Sequence, residues 1–242
     1  MKIVSKTDVG LVRQSNQDSY AAGEMPGGVA WAVVCDGMGG ANGGNIASAT
    51  AVKMISEMIS STYREGMSSN SIRTMLQSAV YAANVSVFDM AKSVESLSGM
   101  GTTVVAAVVS HGLVHVVHAG DSRAYIVSDT GMDQITRDHS IVQSMIEDGS
   151  LSPDEAKLHP RKNIITRALG VEESIEIDYN EVGLAQGQRL LICTDGLTNY
   201  IEPPVILEVL QQYGFYEYPE KLIERANQNG GGDNITVVVI SD

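Results

Sequence analysis

The chain has 242 residues, in which 16 Lys and Arg face 29 Asp and Glu, for a formal charge of -13 at pH 7. Such an acid surplus argues against a nucleic-acid or anionic-membrane binder, and any phosphate ligand would need a cation from outside the chain. No apolar run approaches the roughly 18 residues of a membrane span, and Met1 to Gly10 has no apolar signal core, so a cytoplasmic protein is expected. No linker, charge block or low-complexity run divides the sequence, which predicts one domain over residues 1–242.

Lys2 to Thr7 reads as a first strand. It leads into a polar turn containing RQSNQD, where the Arg13 fork suits bidentate phosphate contact. Val29 to Cys35 is an apolar run that predicts a buried strand ending at Asp36, followed by a glycine-rich turn and a helix. From Asn45, the residues Ala47, Ala51, Met54, Ile55 and Met58 keep helical spacing, as do Ile72, Met75, Leu76, Ala79, Ala83, Val87 and Met90. Thr102 to Val109, Leu113 to His118 and Ala124 to Val127 predict an antiparallel meander with turns at His111-Gly112 and Asp129 to Gly131. The first of these is apolar on both faces of its pleat, so it should be covered by helices on one side and a second sheet on the other.

The GDSR turn holds Asp121 and Arg123. Residues 138–170 are more polar and predict a two-helix excursion: one helix from Ile141 to Asp148, the next behind a capping box at Ser152-Pro153-Asp154-Glu155. A strand pair near Ile175 to Tyr179 and Arg189 to Thr194 comes next. Asp195 is followed by a loop, helices start near Pro203 and Pro219 and stop by Gly230, and a last strand runs from behind Asp233 to Ile240.

Asp36, Asp195 and Asp233 each sit beside a glycine at the end of an apolar strand. Asp-Gly is also a common hairpin pair, but neither Asp36 nor Asp195 leads into the second alternating strand a hairpin needs. Gathered at one sheet edge, the three would form the all-oxygen cluster preferred by hard divalent cations. Asp18 and Asp121 are further acids and Arg13 the well-placed cation. Two ions about 4 Å apart would lower the pKa of a shared water and supply charge for a phosphate, which points to metal-assisted phosphoester hydrolysis. The GGANGG segment could instead bind a nucleotide phosphate on its amides, but no GxxxxGK accompanies it. Cys35 and Cys193 read as small buried hydrophobes rather than ligands.

The sequence resembles the type 2C metal-dependent serine/threonine protein phosphatases, and its length resembles their compact bacterial members. The likeness runs in order through RQSNQD (Arg13 to Asp18), DGMGG (Asp36 to Gly40), MGTT (Met100 to Thr103), GDSR (Gly120 to Arg123), DHS (Asp138 to Ser140), RALG (Arg167 to Gly170), CTDGL (Cys193 to Leu197) and GGDNIT (Gly231 to Thr236). The resemblance implies a four-layer α-β-β-α sandwich of two antiparallel sheets, with 138–170 as a flap. It also implies two Mn2+ or Mg2+ ions per chain and a weaker third. By this likeness Asp36 would bridge both ions, the Gly37 carbonyl would hold one, and Asp195 with Asp233 the other. Asp18 would act through water, Asp121 would hold the third ion with Asp195, and Arg13 would bind the substrate phosphate during in-line attack by activated water.

The implied activity is hydrolysis of phosphoserine and phosphothreonine in proteins, a serine/threonine kinase among them, by a monomer. A phosphatase of small phosphate esters and a silent phosphoprotein-binding relative are the rival readings. The sequence departs from the family where a histidine often stands within or just after DGMGG, and where Gly-Glu often follows. Met38, Ala41 and Gly44-Asn45 occupy those places. His139 and His159 are the nearby histidines, and both read as structural or surface residues.

Overall fold

The computed structural model describes all 242 residues, the side chains at 40–42 excepted. One sheet comprises β2 (Asp18–Met25), β3 (Val29–Met38), β5 (Val104–Ser110), β6 (Leu113–Ala119) and β9 (Asp178–Gly183) in that order, with β4 (Gly101–Thr102) paired to the end of β3. The other runs β1 (Lys2–Asp8), β11 (Ile235–Ser241), β10 (Arg189–Cys193), β7 (Arg123–Val127) and β8 (Met132–Gln134). All the pairings are antiparallel. Helices α1 (Gly40–Thr62) and α2 (Ser69–Ser93) cover the first sheet, and α6 (Pro203–Gln212) and α7 (Tyr218–Gln228) cover the second. The 138–170 segment contains α3 (Ile141–Glu147) and α4 (Pro153–Leu158), while α5 (Asp195–Thr198) follows β10 directly. This is the four-layer α-β-β-α sandwich.

Strand alternation sorts the core into three parts. Val33 and Cys35 face the helices, whereas Ala30, Ala32 and Val34 face the opposite sheet. Likewise Val237 and Val239 look to α6 and α7, and Val238 and Ile240 look inward. The inward set is built from Ala, Val, Leu and Ile at or near zero exposure, which lets the two sheets approach closely.

The structure corrects several expectations. β3 does not stop at Asp36 but continues to Met38, where Gly37 pairs with Thr102. The meander breaks after β6: β7 belongs to the other sheet, and the Gly120-Asp121-Ser122 turn is the crossover. The anticipated strand pair near 175–194 is split the same way, since β9 pairs with β6 and β10 with β7 and β11. Period-two patterning identifies a buried strand without naming its neighbour. The expected loop after Asp195 is the helical turn α5, and α1 starts at Gly40 rather than near Asn45. β2 and β8 were not anticipated, because DSYAAGEM is small and polar and MDQ is three residues long. The capping box at Ser152 and Glu155 is present.

Candidate metal centre

At one end of the sandwich the inward-facing row turns polar. Continuing the alternation of Ala32 and Val34 brings Asp36 between the sheets, and Asp18 is its direct partner in the β2–β3 register. By the same parity Thr103 precedes Val105, Ser122 precedes Ala124, Thr194 follows Ile192, and Thr236 precedes Val238. These hydroxyls fix the carboxylates. Thr194 and Thr236 donate to Asp18 Oδ2 at 2.9 and 2.6 Å. Thr103 Oγ1 accepts from the Asp36 amide at 3.0 Å and lies 2.7 Å from Ser122 Oγ.

Asp36, Gly37, Asp121, Asp195, Asp233 and Arg13 line one cavity of about 430 Å³. A second, of about 590 Å³, shares Asp121 and Asp195 and runs beneath α3 and α4. Gly37 must be glycine, since a Cβ there would run into the Gly44 carbonyl oxygen. Asp195 is the first residue of α5 and accepts from Asn199 Nδ2 at 2.9 Å. Asp233 accepts from the Asn234 amide and from Arg13 Nη2, both at 2.9 Å. Asn234, buried, accepts from the Gln17 amide and donates to the carbonyls of Val9 and Ser15, pinning the loop that carries Arg13.

The electrostatics are those of crowded anions. Burial, followed by neighbouring carboxylates, raises the pKa of Asp36 well above its usual range. Burial takes Asp121 to about 8, with Asp195 and Asp138 adding to the effect. Asp18 reaches about 7 because burial outweighs its two hydroxyl donors. Asp195 is raised as well, by burial and then by Asp233.

Two carboxylate oxygens, Asp18 Oδ1 and Asp195 Oδ1, are buried with no hydrogen-bond partner within the protein. Buried carboxylates left in that state need a proton or a cation. The donor set is all oxygen, so these residues fit Mn2+ or Mg2+.

All the site residues expected from the sequence except Asp18 line the first cavity; Asp18 lies behind it, hydrogen-bonded to the two threonines. Cys35 and Cys193 are buried on the helix-facing sides of β3 and β10 and turn away from the cavity. His139 is buried, and His159 Nδ1 accepts from the Arg161 amide at 3.2 Å. The contrast at Ala41 and the central residues of GGANGG fall at 40–42, outside the described side chains.

Sequence reasoning missed the four hydroxyls and Asn234. Their signal was present as polar residues continuing an inward apolar row at one end of each strand. It also missed the half-buried pair in which Arg123 Nε and Nη2 donate to Asp138 Oδ1 and Oδ2 at 2.9 and 2.6 Å, beside Asp121 in the larger cavity.

Residues 12–236 match the protein phosphatase 2C family. The serine/threonine phosphatase stp of Listeria innocua is 37% identical over 236 residues, which span 97% of this chain and 93% of the relative. Among solved structures, the Streptococcus agalactiae (S. agalactiae) serine/threonine phosphatase superposes with a TM-score of 0.93 at 33% identity, covering 100% of this chain and 99% of that one. The catalytic domain of the serine threonine protein phosphatase PstP, in complex with 2 manganese ions, gives a TM-score of 0.87 at 33% identity, covering 100% of this chain and 98% of that one.

Proposed function

Because the chain belongs to the protein phosphatase 2C family, we propose that the aspartates at the end of its sandwich form the catalytic centre of a metal-dependent serine/threonine protein phosphatase. The enzyme acts on phosphoproteins. What carries the site reading is the pair of buried, unpartnered carboxylate oxygens on Asp18 and Asp195, beside a cavity that also takes in Asp36 and Asp233.

Two Mn2+ or Mg2+ ions bound there would supply the Lewis acidity and the positive charge that an acidic chain lacks. In this reading Asp36, the Gly37 carbonyl, Asp195 and Asp233, which line one cavity, would hold the ions. Asp18 stands behind them, held by Thr194 and Thr236, and orients water through its free oxygen. Arg13 is half exposed at the cavity rim and its pKa is raised, first by its hydrogen bond to Asp233. It exchanges that partner for a phosphate oxygen when substrate enters. Asp121, on the wall shared by both cavities, would hold a weaker outer ion together with Asp195.

No helix among the described residues is long and apolar enough to cross a membrane. A cytoplasmic monomer whose substrates include a serine/threonine kinase completes the proposal. Release of phosphate from a phosphothreonine peptide and from a simple aryl phosphate, each with Mn2+ and with excess chelator, tests it. Mn2+-dependent turnover favouring the peptide supports the proposal. Turnover that survives the chelator removes the metal from the reaction, and a strong preference for the free ester restores the small-ester reading.

A further inference from the structure

The GDSR crossover must hold Asp121 at the cavity while the chain changes sheets, and one buried histidine grips it at two points. The His139 amide donates to the Gly120 carbonyl at 2.9 Å, and the Gly120 amide donates back to His139 Nδ1 at 3.1 Å. Gly120 has φ +107°, and a Cβ on it would come 2.6 Å from Thr103 Cγ2, so the turn has little room to reach another partner. The His139 carbonyl accepts from the Thr166 amide at 2.8 Å, which ties the same residue to the base of 138–170.

These contacts assign the tautomer. A neutral imidazole has one acceptor nitrogen. With Nδ1 accepting from Gly120, the proton sits on Nε2, which faces Asp178 Oδ2 at 3.3 Å. Arg167 Nη1 lies 3.1 Å from Nε2 but donates to Asp178 Oδ1 at 2.9 Å, so it has its own acceptor. The His118 ring lies parallel to His139 at 4.8 Å and 5°, fixing the ring plane. His118, His139 and Asp178 bring ligand atoms within 4.8 Å of one another. Parallel rings do not aim two lone pairs at a common point, however, and the Arg167 guanidinium lies against the group. The trio is better suited to holding a backbone than to holding an ion.

We propose that His139 is a positioning residue for Asp121, acting through the Gly120 amide to set the outer-ion carboxylate. This rests on the reading of Asp121 as a ligand of the weaker ion. Asn at position 139 can offer its Oδ1 near the place of Nδ1, whereas Gln reaches toward Asp178 and leaves the Gly120 amide unmet.

The test is calorimetric Mn2+ titration of chelator-stripped wild type, Asp121→Asn, His139→Gln and His139→Asn, with Tm and phosphopeptide kinetics alongside. Loss of an outer-sphere partner weakens metal binding about 10- to 100-fold. His139→Gln should therefore weaken the loosest Mn2+ site by that factor and lower kcat with KM unchanged. His139→Asn should recover most of both.

If Asp121→Asn leaves the weak site intact, the reading of Asp121 fails. If Asp121→Asn loses that site while His139→Gln keeps it, the positioning role alone fails. Equal losses in the Gln and Asn variants, tracking their fall in Tm, would also overturn it. Should the variants not fold, nitrogen NMR of the wild-type imidazole still decides: an Nε2-protonated His139 coupled to the Gly120 amide supports the role, and an Nδ1-protonated ring refutes it.

Discussion

Asp18 and Asp36 are direct antiparallel partners across β2 and β3, side by side on the face that looks into the sandwich. Like charges so placed repel, and burial removes the water that would screen them. The pair is therefore comfortable only with a proton or a cation close by, which links the stability of the chain to its metal.

The first expectation concerns the metal-free protein. Burial raises Asp18 to about 7 and Asp121 to about 8 in the folded chain, both well above the ordinary aspartate value. A raised carboxylate pKa means that the folded state binds more protons, so the stability these groups contribute is complete below about pH 4 and is lost as pH rises through 7 to 8. In chelator, Asp18→Asn and Asp121→Asn should thus gain Tm over wild type between about pH 5 and about pH 8, by roughly 2–4 °C for each kcal/mol relieved. Melting curves across that range check it. A Tm difference that ignores pH would contradict it.

Asp36→Ala, Asp195→Ala and Asp233→Ala should each lower turnover on the order of a thousandfold or more, ~4 kcal/mol of lost Lewis-acid assistance. The fold should persist, because each substitution relieves anionic crowding at the end of a strand. Circular dichroism beside phosphate release separates the two effects, and wild-type rates in any of the three would remove that residue from the centre.

The aspartates were legible in the sequence because each interrupts the composition of a strand whose apolar run is strong: VAWAVVC before Asp36, RLLIC before Asp195 and ITVVVIS after Asp233. The same runs made the twice-covered strands and the flanking helices readable. Asp18 was found as an acid, but its strand was not, since SYAAGEM lacks the β-branched residues that announce one. The sheet switch at Gly120 was hidden because alternation fixes which face a side chain takes and leaves the neighbouring strand open. Thr194 and Thr236 looked like ordinary strand residues, and only the facing of two sheets turns them toward Asp18.

Arg13 reaches the cavity from a loop, with Asp233 as its present partner. Arg13→Ala should raise KM for phosphopeptide by about 10- to 100-fold, matching the ~1.5–3 kcal/mol of a lost charged hydrogen-bonding pair. Arg13→Lys should recover only part, having charge without the planar fork. Equal KM values for Arg, Lys and Ala would place the phosphate elsewhere.

Asp121→Ala should leave two tightly held ions and a folded chain but a much reduced turnover, since Asp121, unlike Asp36 and Asp233, also lines the cavity beneath α3 and α4. If Asp121 only shaped the crossover turn, the variant would lose Tm and keep its turnover per folded molecule. Single-turnover rates with metal counting distinguish these outcomes.

Anomalous scattering from crystals grown with Mn2+ would locate the ions without relying on activity. Two strong peaks within reach of Asp36, Asp195 and Asp233, with Asp36 contacting both, are the expected result. Peaks beside His118, His139 and Asp178 instead, or none among the aspartates, would contradict the assignment of the catalytic centre to the polar end of the sandwich.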